Sequence, residues 1–170
     1  LMPQYRRAKI NGSAFFFTVV LADRSSTLLI DEIDRLRKSY RTVRERRPFE
    51  TIAIWVLPDH LHALWVLPEG DADFATRWSL IKSGFSRGIE ERPRSPSKIV
   101  KREKGIWQRR YWEHAIRDDA DLERHVDYIH FNPVKHGHVT RVVDWRHSSF
   151  HRYVEHGLLE ADWGGDIRNV

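Results

Sequence analysis

Two apolar runs of strand length, residues 51–57 (TIAIWVL) and 61–67 (LHALWVL), stand on either side of Pro58-Asp59-His60. Proline followed by aspartate is turn chemistry, so the segment predicts an antiparallel hairpin, and with it a chain that must build a largely antiparallel sheet. Pro68-Glu69-Gly70-Asp71 closes the second strand. A continuous aromatic and β-branched run at 15–21 (FFFTVVL) predicts a strand buried on both faces, and 111–117 (YWEHAIR) a fourth strand.

Helices are expected between these strands. Residues 31–46 carry Asp31, Glu32 and Asp34 at the start and Arg44 and Arg46 at the end, a polarity that complements the helix dipole, and Pro48 ends the run. Residues 73–87 place Phe74, Trp78, Ile81 and Phe85 at helical spacing. Asp118 or Asp119 caps a third helix that runs to about Phe131 on an apolar stripe of Leu122, Val126 and Ile129, with Asn132-Pro133 as its stop. Residues 90–105, with Pro93, Pro96 and a high density of Lys and Arg, read as a mobile basic loop. The order strand, helix, strand, strand, helix, strand is that of the split βαβ, ferredoxin-like arrangement. The expected fold class is α+β, with a mostly antiparallel sheet of four or five strands and helices packed on it.

The 170 residues favour one domain over 1–170, with 155–170 as an acidic C-terminal tail. Cysteine is absent, which removes disulfides, thiolate nucleophiles and Cys-ligated metal centres. With no apolar run near the ~20 residues of a membrane span and no signal-like N-terminal stretch, a cytoplasmic, nucleoid-associated protein is expected. The net charge of +5 is unevenly spread: residues 35–47 hold seven bases against one acid, and residues 77–117 twelve against four. Between them, residues 48–76 hold five acids and no Lys or Arg, and residues 118–170 are net acidic. Two such basic tracts suit a polyanion, because clustered Lys and Arg release counterions from phosphates. The tail from Glu155 has the charge to lie in a basic groove and compete with that polyanion.

His60 and His62, two apart at the start of a strand, place both imidazoles on one sheet face, where they can form two arms of a metal site. Tyr128 and Asn132 are four apart on the third helix, and His125 lies on the same side. A tyrosine, with its ordinary pKa of about 10, is a weak nucleophile at neutral pH but a plausible one beside a cation that neutralises a phosphate. Imidazole donors favour Mn²⁺ or Zn²⁺. Trp107 and Trp112, around Arg109-Arg110, are candidate base-stacking platforms.

The run Pro58-Asp59-His60-Leu61-His62 resembles the histidine–hydrophobic–histidine motif of single-tyrosine HUH transposases. The segments from Ile106 to His114 and from His125 to Gly137, with Asp144-Trp145 and Ser148-Ser149-Phe150, resemble the REP-associated tyrosine transposases, a branch linked to repetitive extragenic palindromes. The motifs follow in the branch's order over nearly the whole chain, from Tyr5-Arg6-Arg7 to the stretch around Trp163. The resemblance implies a single-stranded DNA endonuclease and strand transferase acting on REP-type hairpins, with Tyr128 forming a 5′-phosphotyrosine and releasing a 3′-hydroxyl. It implies Mg²⁺ or Mn²⁺ on His60 and His62, with Asn132 as third ligand where the insertion-sequence branch has Gln. It also implies a monomer or homodimer. The expected DNA contacts are Arg6, Arg7, Arg41, Arg44, Arg77, Lys82, Arg109, Arg110, Trp112 and His125. Two alternatives stand beside this reading: a hairpin-binding protein that has lost cleavage, and a metal-dependent nuclease with a water nucleophile.

Overall fold

The computed structural model describes residues 13–93, 95–101 and 103–166. Arg6 and Arg7 lie outside the described residues. Four strands, β1 (Ala14–Val20), β2 (Glu50–Val56), β3 (His60–Val66) and β4 (Trp112–Ala115), form one sheet in the order β2-β3-β1-β4. Every pairing is antiparallel, so the hairpin and the ferredoxin-like order are both present.

Helices cover both faces of this sheet, which is why β1 and β3 are mostly apolar, Thr18, His60 and His62 apart. On one face, Phe15, Phe17 and Val19 of β1 and Leu61, Ala63 and Trp65 of β3 pack against α2 (Ile33–Arg46) and α3 (Phe74–Ser86) through Leu36, Val43, Trp78, Ile81 and Phe85. A short helix, α1 (Leu28–Asp31), precedes α2. Gly84 lets α2 and α3 approach: a Cβ there would sit 2.3 Å from Ser39 Oγ. On the other face, Ala14, Phe16, Leu64 and Val66 receive Leu122, Val126 and Ile129 of a long helix, α5 (Asp119–Lys135). No helix among the described residues is long and apolar enough to cross a membrane.

Two local expectations are corrected. The helix α5 does not stop at Asn132-Pro133 but runs through Pro133 to Lys135. Proline forfeits one backbone bond, yet Val134 in the extra turn is buried with Val142 and Phe150, and His136 N–H and His138 N–H close on the carbonyls of Asn132 and Pro133. The bias of a residue before proline against helix is outweighed here by tertiary burial. The 90–105 segment is not a free loop. It contains α4 (Pro96–Val100), and Lys98 Nζ donates to the Trp107 carbonyl while Lys104 Nζ donates to those of Ser86 and Ile89. The acidic tail, through Asp166, is folded back onto the core. Beyond α6 (Phe150–Glu155), Leu158 and Leu159 join the cores around α5, and Trp163 packs on Phe131 and Phe150.

Arg77, expected as a DNA contact, is also corrected. It is 3% exposed, and its guanidinium donates to the carbonyls of Arg47, Pro48 and Asp73 and to both Asp71 oxygens. With its donors spent on the loops that flank α3, it is a strut. Arg77→Ala should therefore lower stability by about 3 kcal/mol, since several carbonyls lose their donor and Asp71 its counter-ion. Thermal denaturation of the variant measures this as a fall of roughly 2–4 °C per kcal/mol. An unchanged midpoint with weakened DNA binding would restore Arg77 to the interface.

Candidate active site

The centre is built on one transverse row of the sheet. Cross-strand pairing aligns Trp55 of β2 with His62 of β3, His62 with Thr18 of β1, and Thr18 with Trp112 of β4. Directly paired residues share a face, so all four side chains look towards α5. The helix crosses this row diagonally. Its His125 packs on Phe16 (4.8 Å between ring centroids) and Tyr128 on Phe16 and His62 (6.0 and 5.5 Å). Eight residues on from Tyr128, His136 reaches His60 and Trp55 (5.8 and 6.0 Å). Asn132 lies midway between Tyr128 and His136 on this stripe and is fully buried.

The orientation of the two histidines is fixed from behind. His60 Nδ1 lies 2.9 Å from Asp59 Oδ1, and Arg24 Nε donates to Asp59 Oδ2 at 2.6 Å. Burial opposes ionisation of Asp59, but the hydrogen bonds from Arg24 and His60 outweigh it and hold its carboxyl below the usual range. An ionised Asp59 makes His60 Nδ1 the donor. His62 Nδ1 lies 2.8 Å from Thr18 Oγ1 and also faces the Phe17 carbonyl, which again assigns the proton to Nδ1. Both rings are thus left with Nε2 as the lone-pair end.

Burial is the main cause that lowers the pKa of His60 and drops that of His62 to about 3, the neighbouring His60 and His136 adding to the second. His136 is lowered for the same reason. These imidazoles are neutral at physiological pH, as metal ligands must be. The same shift makes stability pH-dependent. Unfolded His62 takes a proton near 6.5 and folded His62 only near 3, so its contribution is complete above 6.5 and lost as pH falls towards 3. His62→Gln should flatten the fall of the thermal midpoint over that window; an unchanged slope would contradict it.

Among buried polar atoms, His62 Nε2 and both ends of the Asn132 amide have no hydrogen-bond partner. Unmet buried polar groups are costly; beside the indole N–H groups of Trp55 and Trp78, which share this condition, those of His62 and Asn132 belong to two of the three residues expected to hold a divalent ion. The donor set of two imidazoles and an amide oxygen fits such an ion. Tyr128 is 37% exposed, and Lys135 Nζ lies 5.1 Å over its ring. The nucleophile candidate is thus open to a ligand and sits beside a cation.

The other expected contacts divide. Trp112 (65% exposed) and His125 line a hollow of about 370 Å³ with Tyr128. Lys82 and Arg109 line a separate hollow of about 610 Å³ between α3 and residues 103–111. There, Lys82 Nζ donates to the Gln108 carbonyl with its pKa lowered to about 8 by burial, and Arg109 pairs with Glu103. Arg110 is exposed. Arg41 and Arg44 are exposed on α2, yet the cationic groove of about 760 Å³ between α2 and α3 is lined instead by Arg35, Lys38, Arg46, Arg47 and Arg87. Thr18, Asp59, Arg24, Lys135 and His136 were not expected at the centre. A helix continued through Pro133 places Lys135 and His136 two turns beyond Tyr128 and one beyond Asn132, and Asp59 stands next to His60 in the sequence.

No family model matches the chain. A REP-associated tyrosine transposase of Escherichia coli is 48% identical over 166 residues, covering 98% of this chain and 93% of that protein. A Haemophilus influenzae protein assigned to the same family is 49% identical over 167 residues, with 97% and 95% covered. The solved structure of a REP-associated tyrosine transposase bound to a REP hairpin matches with a TM-score of 0.80 and 48% identity, over 98% of this chain and 93% of that one. Near-identity in length, half the residues shared and the same fold leave one assignment: the chain belongs to the REP-associated tyrosine transposases.

Proposed function

We propose that this protein cuts and rejoins single-stranded DNA at REP-type hairpins through a covalent bond to Tyr128. The observation that carries the reading is the meeting of a half-exposed Tyr128 with His62, 5.5 Å away ring to ring, and with Lys135 over its face. In this reaction the Tyr128 oxygen attacks phosphorus, the bond to the 3′ oxygen breaks, and a 5′-phosphotyrosine and a free 3′-hydroxyl result. Attack by a 3′-hydroxyl on that linkage reverses the step and joins strands, with no net change in phosphodiester count.

His60, His62 and Asn132 would hold a divalent ion, Mg²⁺ or Mn²⁺, which supplies charge neutralisation at the scissile phosphate. Thr18 and Asp59 keep the two imidazoles turned to this task, and Trp55, stacked on His62 at 5.1 Å, shields the ring from water. Lys135 offsets negative charge on the phenolic oxygen as it loses its proton. Arg35, Lys38, Arg46, Arg47 and Arg87 form a phosphate-gripping groove for the hairpin on the opposite face of the sheet.

The test is incubation with an end-labelled REP-type hairpin oligonucleotide and Mn²⁺, followed by denaturing electrophoresis. A protein–DNA adduct that survives denaturation, with label on the 5′-phosphate side only, is expected. Cut DNA without an adduct would mean a water nucleophile, and tight binding with neither would mean a hairpin-binding protein; each overturns the proposal.

A further inference from the structure

We propose that the hollow beside Tyr128, on the side away from His60, is a single-nucleotide subsite that stacks one unpaired base on Trp112 and holds its phosphate with Arg124 and His125. This deepens the cleavage reading and rests on it, since the nucleotide meant is one that flanks the bond Tyr128 attacks.

The hollow, about 370 Å³, is lined by Phe16, Thr18, Trp112, Arg124, His125 and Tyr128. Four of these six carry aromatic rings, and Trp112 is the most exposed of the tryptophans among the described residues, at 65%. An indole left this open beside a nucleophile is an unfilled stacking surface. Its two companions at the rim are a guanidinium and an imidazole, and no carboxylate lines the hollow. An apolar ring surface edged by a guanidinium and an imidazole matches a base attached to a phosphate. A duplex does not expose base faces, so the occupant is unpaired.

The rim is held in place by a buried carboxylate. Asp121 is 1% exposed and accepts from Arg117 N–H (2.9 Å) and His114 Nε2 (2.8 Å). Arg124 donates to its other oxygen at 3.3 Å, and His125 Nδ1 lies 2.8 Å from its carbonyl and 3.3 Å from its carboxylate. His114 stacks on His125 at 4.8 Å. Burial works against the Asp121 charge, but the Arg117 and His114 hydrogen bonds outweigh it and keep its carboxyl well below the usual range. The atoms of His114, Asp121 and His125 lie close enough to hold a metal ion, within 4.8 Å of one another. Asp121 is, however, already satisfied by the Arg117 N–H, and Arg117 Nε and Arg124 lie 3.6 and 3.3 Å from it. Two guanidiniums repel a cation at that spot and favour an anion beyond it. The cluster is better matched to positioning Arg124 and His125 for phosphate.

The experiment is a cycle on binding alone. A Tyr128→Phe protein, without added divalent ion, is titrated with the hairpin oligonucleotide carrying either a normal or an abasic nucleotide at each position flanking the mapped cleavage bond. At one position the abasic change should weaken binding by about 5- to 150-fold, the range expected for one stacked base. In the same background Trp112→Ala should show an equal loss with normal DNA and no further loss on the abasic strand, and Trp112→Phe should restore most of the affinity. Arg124→Gln should weaken both strands alike and lower the salt dependence by about one phosphate contact. Additive losses for Trp112→Ala and the abasic change, or no abasic position that matters, would overturn the subsite. The readouts separate from the cleavage test: no adduct with the cycle intact removes the reaction but leaves the subsite, and an adduct with additive losses does the reverse. An unchanged thermal midpoint for Trp112→Ala, whose side chain is mostly outside the core, verifies that the fold survives.

Discussion

Tyr128→Phe should reduce strand cleavage by at least about 10³-fold and remove the covalent adduct, while leaving hairpin affinity within about twofold of the unsubstituted protein. The size of the first effect follows from losing the attacking atom itself, as for other nucleophile deletions. The second follows from the structure: the ring, which packs on Phe16 and His62 and lies under Lys135, is preserved by phenylalanine. Only the oxygen is lost. Cleavage kinetics on a labelled hairpin, with binding followed separately at fixed salt, decide the matter. Residual cleavage within tenfold of the parent would show that water or another side chain attacks.

The parts of this centre that were legible in the sequence are those set by short spacing. His60 and His62 share a face because strands alternate, and Tyr128, Asn132 and His125 share one because helices repeat every 3.6 residues. The hairpin was legible for the same reason, being local. What the sequence hid is carried by contacts between residues far apart or by tertiary burial. Thr18 reaches His62 across 44 positions, and nothing in a β-branched threonine within an aromatic run announces that its hydroxyl orients an imidazole. Arg77 looked like one more base in a cationic tract, yet it is the loop carbonyls 29 and 30 positions earlier, together with Asp71, that turn it inward. The helix stop at Pro133 illustrates the third cause. The local rule was sound, but the burial of Val134 overrode it, and with the extra turn came Lys135 and His136. Charge density alone pointed to Arg41 and Arg44, whereas helix geometry presents Arg35, Lys38, Arg46 and Arg47 to the groove beside α3.

His62→Ala should lower cleavage by about 10²- to 10³-fold at saturating Mn²⁺, the loss expected when several kcal/mol of charge stabilisation at the phosphate is withdrawn. Three features of His62 make it the more demanding test than His60. It is 4% exposed, its Nδ1 is engaged by Thr18, and its Nε2 has no partner, so the free nitrogen has no evident task other than to ligate. Removing the ring also removes an unsatisfied buried donor or acceptor, which offsets part of the cavity cost, so the fold should tolerate the change better than a Leu→Ala of similar burial. Asp59→Asn provides the graded comparison. It leaves both rings in place but weakens the hold on His60 Nδ1, and should cost about 10- to 100-fold in metal affinity, recoverable by raising Mn²⁺. His62→Ala should not be recoverable in that way. Metal titrations of cleavage for the two variants, run beside hairpin binding in chelator, distinguish the cases. If His62→Ala cleaves as well as the parent protein, or if chelator leaves the parent's rate unchanged, the metal role of the pair is wrong, and the neutral imidazole with its unpartnered Nε2 would need another cause.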